Sequence, residues 1–257
     1  MALSAASILA ALRRNIAPIE AARPASQTRH YRLDGEPAIF CAAGGCIRGA
    51  LHEIAAAREG AIAAAAGFAL ALAARATSRA ILWAGEDMAW TESGAPYGPG
   101  LDLLGLAPER FIAVKGARPR DVLWTMEEAL RCGAVGAAIG EIRGLRRDLD
   151  LTATRRLSLA AAGNGGIALL LRTEPDAGPS AAATRWVIGA APSALKAHTL
   201  GPSRIEAQLT RNRFGQPGSW MLEWNNDERC FGLAPADREP VVQAAFDRPR
   251  RAAARSA

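Results

Sequence analysis

The sequence predicts an α/β domain with a mainly parallel sheet flanked by helices and antiparallel strands added at its C-terminal edge. Three observations carry this reading. Short runs that are apolar throughout alternate with helical stretches, as in parallel sheets covered on both faces. The 257 residues are 50% hydrophobic and 22% charged, enough to bury a sizeable core. Towards the C-terminus strand-like runs follow one another with only turn residues between them.

The elements follow in chain order. Ile8, Leu12, Ile16 and Ile19 recur at helical spacing, so residues 4–20 read as an amphipathic helix. Residues 21–37 are polar and Pro-containing, a linker to a domain over 38–234. Gly49–Ala55 reads as a strand, followed by an apolar helix over Gly60–Arg75 and a buried strand over Ala80–Ala84. A Gly/Pro-rich loop, Gly85–Gly100, leads through Leu101–Leu106 to a strand at Phe111–Lys115. Pro119 suits a helix start, and Val122, Met126 and Leu130 give that helix an apolar face up to Cys132. Ala134–Ile139 is the next strand, Leu151–Ala162 a helix closed by Asn164–Gly165, and Gly166–Leu171 another buried strand. Thr184–Ala190, Ser203–Arg213 and Ser219–Trp224 read as antiparallel strands, with the hairpin turn at Gly215–Gly218. Residues 235–257 form a basic tail with arginines between Arg248 and Arg255. Trp83, Trp124, Trp186, Trp220 and Trp224 are assigned to core packing, and His52 to a structural role.

Composition narrows the chemistry. The net charge is +6 and the pI near 9.8, a balance that favours acidic partners, nucleic acid first among them, or reflects an arginine-rich solvated surface. Lys115 and Lys196 are the only lysines, so any mechanism needing a lysine must use one of them. Cys41, Cys46, Cys132 and Cys230 form no CxxC pair, and with only three histidines no metal site is expected. Arg13 and Arg14 follow the first apolar residues, the reverse of a secretory leader, and the apolar run Ala61–Ala74 is short for a bilayer. These features predict a soluble, intracellular protein with no membrane partner.

Four strings carry a resemblance. GGCIRGALHEI at Gly44–Ile54 resembles the entry to the RecA core, where a Gly-rich turn leads to a strand ending in Glu-Ile before the phosphate loop. PYGPGLDLLGL at Pro96–Leu106, DLTATRRLSLAAA at Asp150–Ala162 and RNRFGQPGSWMLEW at Arg211–Trp224 narrow it. In this order they are similar to the ImuA family (inducible mutagenesis protein A), a RecA/SulA-like group. The family's Asp-x-x-Leu before the glycines is replaced here by Phe40-Cys41-Ala42-Ala43.

The resemblance implies a RecA-like domain, and against it the missing chemistry stands out. A nucleotide-binding loop of this kind runs Gly-x-x-x-x-Gly-Lys-Thr, its amides cradling phosphates, its lysine neutralising them and its hydroxyl holding Mg²⁺. Here the matching positions Ala56, Arg58, Gly60, Ala61 and Ile62 form a degenerate phosphate loop with neither lysine nor hydroxyl after Gly60. After the strand Ala134–Ile139, Gly140 takes the place of the metal-holding carboxylate, with Glu141 next. Glu86 falls near the water-orienting carboxylate position, and an exposed loop carboxylate is its alternative. No cofactor, no metal and no catalysis are therefore expected.

RecA holds DNA with two loops, matched here by Glu141–Asp150 and Arg172–Ala183. Arg143, Arg146, Arg147, Arg155 and Arg156 are the candidate DNA-contacting residues, or else a solvated helix start partly neutralised by Asp148 and Asp150. The resemblance implies a non-catalytic accessory subunit of a DNA-damage-induced mutagenesis complex. It also implies as partners a Y-family-polymerase-like protein of the ImuB type, an error-prone replicative polymerase and RecA. Alternative readings are a weak ATPase using Arg58 with Glu86 or Glu141, a DNA-binding protein acting alone, and a SulA-like cell-division inhibitor.

Overall fold

The strands are β1 (Ala50–Ala56), β2 (Ala80–Glu86), β3 (Phe111–Gly116), β4 (Val135–Ile142), β5 (Ile167–Arg172), β6 (Thr184–Ala191), β7 (Arg204–Asn212), β8 (Gly218–Asn225) and β9 (Cys230–Leu233). Between them lie helices α1 (Ile62–Ala76), α2 (Asp87–Ser93), α3 (Gly98–Leu103), α4 (Pro119–Arg131) and α5 (Leu151–Asn164). The computed structural model describes residues 48–144, 149–175, 178–193 and 201–235. The helix over 4–20, the linker, Phe40–Ile47, Arg146, Arg147, Lys196 and the basic tail lie outside the described residues.

One nine-stranded sheet runs in the order β3-β2-β4-β5-β1-β6-β7-β8-β9. Pairings from β3 across to β6 are parallel; those from β6 to β9 are antiparallel. β1, β4 and β5 are buried at every position, which explains their uniformly apolar look in sequence. Along β5 the side chains alternate between two cores: Ile167, Leu169 and Leu171 meet α1, while Ala168 and Leu170 meet α4 and α5. Phe68 of α1 packs on Trp186 at a centroid distance of 5.4 Å in the first core. Met126, Leu130 and Leu157 fill the second. The result is three layers, helix–sheet–helix.

Local signals account for the helix ends. The Asp150 carboxylate accepts from the Ala153 amide at 2.7 Å, capping α5 at its start. Gly165 closes it with φ +62°, a conformation that costs other residues dearly. The segment Glu59–Ala76, with a mean hydropathy of 1.3, is apolar and long enough to cross a membrane by composition, yet half of it is buried inside this domain.

Four expectations need correcting. Thr184–Ala190 was read as antiparallel, but β6 runs parallel to β1 and only its other edge is antiparallel, with β7. The supposed loop Gly85–Gly100 holds α2 and the start of α3; short helices leave too few turns for periodicity to register. β4 continues to Ile142, so Gly140 and Glu141 are strand residues. Trp124 is 62% exposed on the outer side of α4, not core. The short strand β9 was also missed, whereas Trp186 and Trp224 are buried as expected.

β1 and β6, the last parallel pair before the antiparallel strands, share a buried polar network. Glu53 pairs with Arg185 at 2.6 Å, and the Ser180 hydroxyl donates to the other Glu53 oxygen at 2.5 Å. On the opposite face His52 Nδ1 lies 2.7 Å from Thr184 Oγ1, which also accepts from the Trp186 indole at 3.0 Å. His52 is fully buried, as a structural histidine should be. Replacing Arg185 with methionine strands the Glu53 charge in the interior and is expected to cost about 3 kcal/mol in urea denaturation. The double variant Glu53→Leu/Arg185→Met is expected to recover most of that loss, because the desolvated charge goes with its partner.

Candidate functional site

In open α/β sheets ligands bind beyond the carboxyl ends of the strands, and the turn after β1 is where this fold would bind an anion. The turn is short. Ala57 still donates to Ile188 of β6 at 2.8 Å, and Ala61 donates to the Arg58 carbonyl at 2.9 Å, closing a single 3₁₀ turn over Glu59–Ala61 before α1. One amide that could have faced a phosphate is therefore used internally. Ala56 and Ala61 are fully buried, Ile62 is half-buried, and Arg58, Glu59 and Gly60 are exposed. A side chain at Gly60 would meet nothing within 4 Å, so no wrapped loop demands the glycine. Glu59 stands in the first turn and already complements the positive helix end.

Lys115, the one lysine among the described residues, does not replace the missing one. Lys115 pairs with Asp87 at 2.9 Å and lies over the Trp90 ring. It sits on β3, four interstrand spacings from β1, or roughly 19 Å across the sheet.

Beside α1 the carboxyl ends of β2 and β4 open onto a cleft of about 830 Å³. Its floor is apolar: Ile62, Ala63, Ala66, Gly67 and Leu70 of α1, Trp83 of β2, and Leu101 and Leu104. Tyr97 stands at its mouth, 74% exposed. The charged lining residues are Glu59, Glu92, Glu141 and Arg143. Gly67 has open space where a Cβ would stand, so the concavity owes part of its depth to a missing side chain.

Glu141 is the polar centre of the cleft. Because β4 extends past Ile139, Gly140 turns towards Met126 under α4, and Glu141 faces the α1 side. The Trp83 indole donates to Glu141 Oε2 at 3.2 Å. Burial raises the Glu141 carboxyl above the ordinary carboxylate value; hydrogen bonds from Trp83 and Trp90 pull it down, and the nearby Glu86 charge pushes it up. Glu86 itself is buried at the end of β2, not the exposed loop carboxylate that one reading expected. Gly85 beside it must lack a side chain, since a Cβ there would lie 2.2 Å from the Trp90 nitrogen.

The arginines are distributed over both faces of the sheet. Arg143 lines the cleft, in an ion pair with Glu92 and a 2.7 Å hydrogen bond to Ser93 Oγ. Arg155 and Arg156 are exposed on α5, in the opposite helical layer, where Arg156 pairs with Glu127 at 2.5 Å. The structure thus does not bring Arg143 together with Arg155 and Arg156. Sequence reasoning missed Trp83, Glu92, Tyr97, Leu101 and Leu104 as cleft residues. The available signals were Asp87 and Pro99, each in the first turn of a short helix.

The displaced titration of Glu141 has a measurable consequence. The folded protein keeps this proton to higher pH than the unfolded chain does, so stability falls as pH rises from the ordinary carboxylate value to the raised one. Glu141→Gln abolishes that titration. Urea denaturation between pH 4 and pH 8 is expected to show the variant gaining stability relative to the parent as pH rises through that window. A difference independent of pH would contradict the assignment.

No family model matches the chain. It is similar to Protein ImuA from two strains of Caulobacter vibrioides, with 35% identity over 152 residues in each case. The match covers 54% of this chain and 61% of the relative, so the chain spans about three fifths of the curated relatives it matches.

Proposed function

We propose that this chain is a RecA-like, non-catalytic accessory subunit of a DNA-damage-induced mutagenesis complex, working by protein–protein contact during translesion synthesis. The observation that carries the reading is the similarity to Protein ImuA in a chain whose phosphate loop has neither lysine nor hydroxyl. ATP turnover needs a cation and a metal ligand at the desolvated β- and γ-phosphates. Here the helix start carries Glu59, and the adjoining cleft adds Glu92 and Glu141 against the single guanidinium of Arg143. That charge arrangement opposes a triphosphate. A domain of this shape without nucleotide exchange offers fixed interfaces and no hydrolytic switch.

The partners of the proposal are a Y-family-polymerase-like protein of the ImuB type, an error-prone replicative polymerase and RecA, in a cytoplasmic, nucleoid-associated complex. DNA contact falls to Arg155 and Arg156, which present guanidinium groups on an exposed helix face.

Co-elution of the purified chain with the Y-family-like protein is the direct test, and failure to associate would remove the adaptor reading. Nucleotide titration with Mg²⁺ is expected to show no hydrolysis above background; hydrolysis abolished by Arg58→Ala would favour an enzyme instead. For DNA, anisotropy over a salt series is expected to lose about 1.8 units of logarithmic salt slope in Arg155→Glu/Arg156→Glu, two phosphate contacts' worth. An unchanged slope would take DNA contact away from α5.

A further inference from the structure

The hairpin joining β7 to β8 lies at the amino edge of the parallel strands, the opposite edge from the cleft. β7 ends beside the start of β6, where Arg211 stands directly opposite Arg185 in the register. Like charges directly opposite each other on a ladder are destabilising. Arg213 follows two residues on and brings a third guanidinium to the same place. Between Gly178 and Val187 and between Gln208 and Gly218 the chain has these three arginines and no Asp or Glu. Glu53 meets Arg185 from β1. Glu174, further back in the crossover from β5 to β6, faces Gly144 beyond the carboxyl ends of the strands.

The three side chains converge. Arg211 Nη1 and Arg213 Nη2 both donate to the Ser180 carbonyl, at 3.4 and 3.3 Å, and Arg185 Nη2 donates to the Gly178 carbonyl at 2.5 Å. Carbonyl oxygens orient guanidinium groups without cancelling their charge. The segment that gathers them is held from its other side, since the Ala181 amide donates to Thr154 Oγ1 of α5 at 3.1 Å. Beyond Arg213 the tip carries Phe214, 50% exposed, whose amide donates to Asn212 Oδ1 at 2.9 Å. The base of the hairpin is braced. A Cβ at Gly218 would lie 2.6 Å from the Trp220 ring, which itself packs on Trp186 at a centroid distance of 6.0 Å. An apolar ring thus stands beside cations that the fold holds mainly through carbonyls.

We propose that the β7–β8 hairpin binds single-stranded nucleic acid, with Arg211 and Arg213 on backbone phosphates and an unstacked base on Phe214. Phosphates offset the repulsion between the opposed arginines, and every base offers a face to the ring. A duplex keeps its base faces stacked, so a ring at the tip gains from a single strand alone. An acidic peptide satisfies the arginines but leaves the ring without a stacked base. The inference rests on the hairpin's own chemistry, not on the mutagenesis role or on Arg155 and Arg156.

Anisotropy of a labelled oligothymidylate with the full chain, over a salt series, tests it. Arg211→Gln/Arg213→Gln keeps amide donors for the Ser180 carbonyl and is expected to remove about 1.4 units of logarithmic salt slope, two single-strand phosphate contacts' worth. Phe214→Ala is expected to weaken binding about tenfold at every salt concentration while leaving the slope unchanged. Because the arginines also hold the crossover, Phe214→Ala at its exposed position is the deciding variant. If the parent does not bind oligothymidylate, or Phe214→Ala binds it as the parent does, the proposal is wrong. An equal loss of duplex binding in Phe214→Ala would also overturn it, as would displacement by polyglutamate that Phe214→Ala leaves unchanged, which marks an acidic-protein contact. Loss of single-strand binding in Arg155→Glu/Arg156→Glu, with both hairpin variants like the parent, assigns the strand to α5 instead. Association with the Y-family-like protein can fail without altering any of these outcomes.

Discussion

The contact between β1 and β6 is what the rest of the sheet depends on. β1 is the middle strand of the nine, paired in parallel with β5 on one side and on the other with β6, which carries the antiparallel strands on its far edge. Glu53 and Arg185 face each other across that junction, both largely dehydrated, and Ser180 supplies the second Glu53 oxygen with a donor. Such a pair adds little net stability over an apolar one, but it penalises other registers heavily, since sliding β6 by one residue would turn Arg185 to the opposite face and leave Glu53 without it. The His52–Thr184–Trp186 chain does the same on the opposite face with neutral groups. Two different polar chemistries thus fix one register. Through it they fix the position of Ala56 and the turn that follows.

At that turn the chain keeps a helix start but neither the wrapped loop nor the cation of an anion site. The helix start is present and points out of the sheet's carboxyl edge, but Glu59 has taken the electrostatic place of a ligand. A carboxylate supplied by the protein needs no exchange with solvent and no metal. In the neighbouring cleft the glutamate on β4 is braced by indole, not by a cation. Burial and the nearby Glu86 charge act in the same direction, raising the Glu141 carboxyl above its ordinary value.

Much of the fold was legible because its driving patterns are local. The buried strands read as unbroken apolar runs, α4 as a stripe of Val122, Met126 and Leu130, and α5 by its closing Asn164–Gly165. What escaped were features decided by neighbours. The direction of β6 depends on which strand it joins, and nothing within Thr184–Ala190 records that. Trp124 looked like core because tryptophan usually is, yet it lies on the side of α4 turned from the sheet. The continuation of β4 through Gly140 was hidden by a glycine that reads as a break. Once the strand is extended, alternation alone moves the polar residue of interest from Gly140 to Glu141. The cleft was illegible for a related reason: two short helices with glycine and proline in or beside them do not differ from a loop in composition.

The glycine in the middle of α1 gives the cleft an unusual kind of plasticity. Gly67 lowers the intrinsic stability of the helix by roughly 1 kcal/mol relative to alanine, and the space over it is empty. The depth of the cavity there is set by side-chain volume on a rigid helix, not by the path of a loop. Larger residues at this position would make the hollow shallower in graded steps, from a methyl group upward, without moving the backbone. Shape at this surface can therefore drift between related chains while the sheet beneath it stays the same.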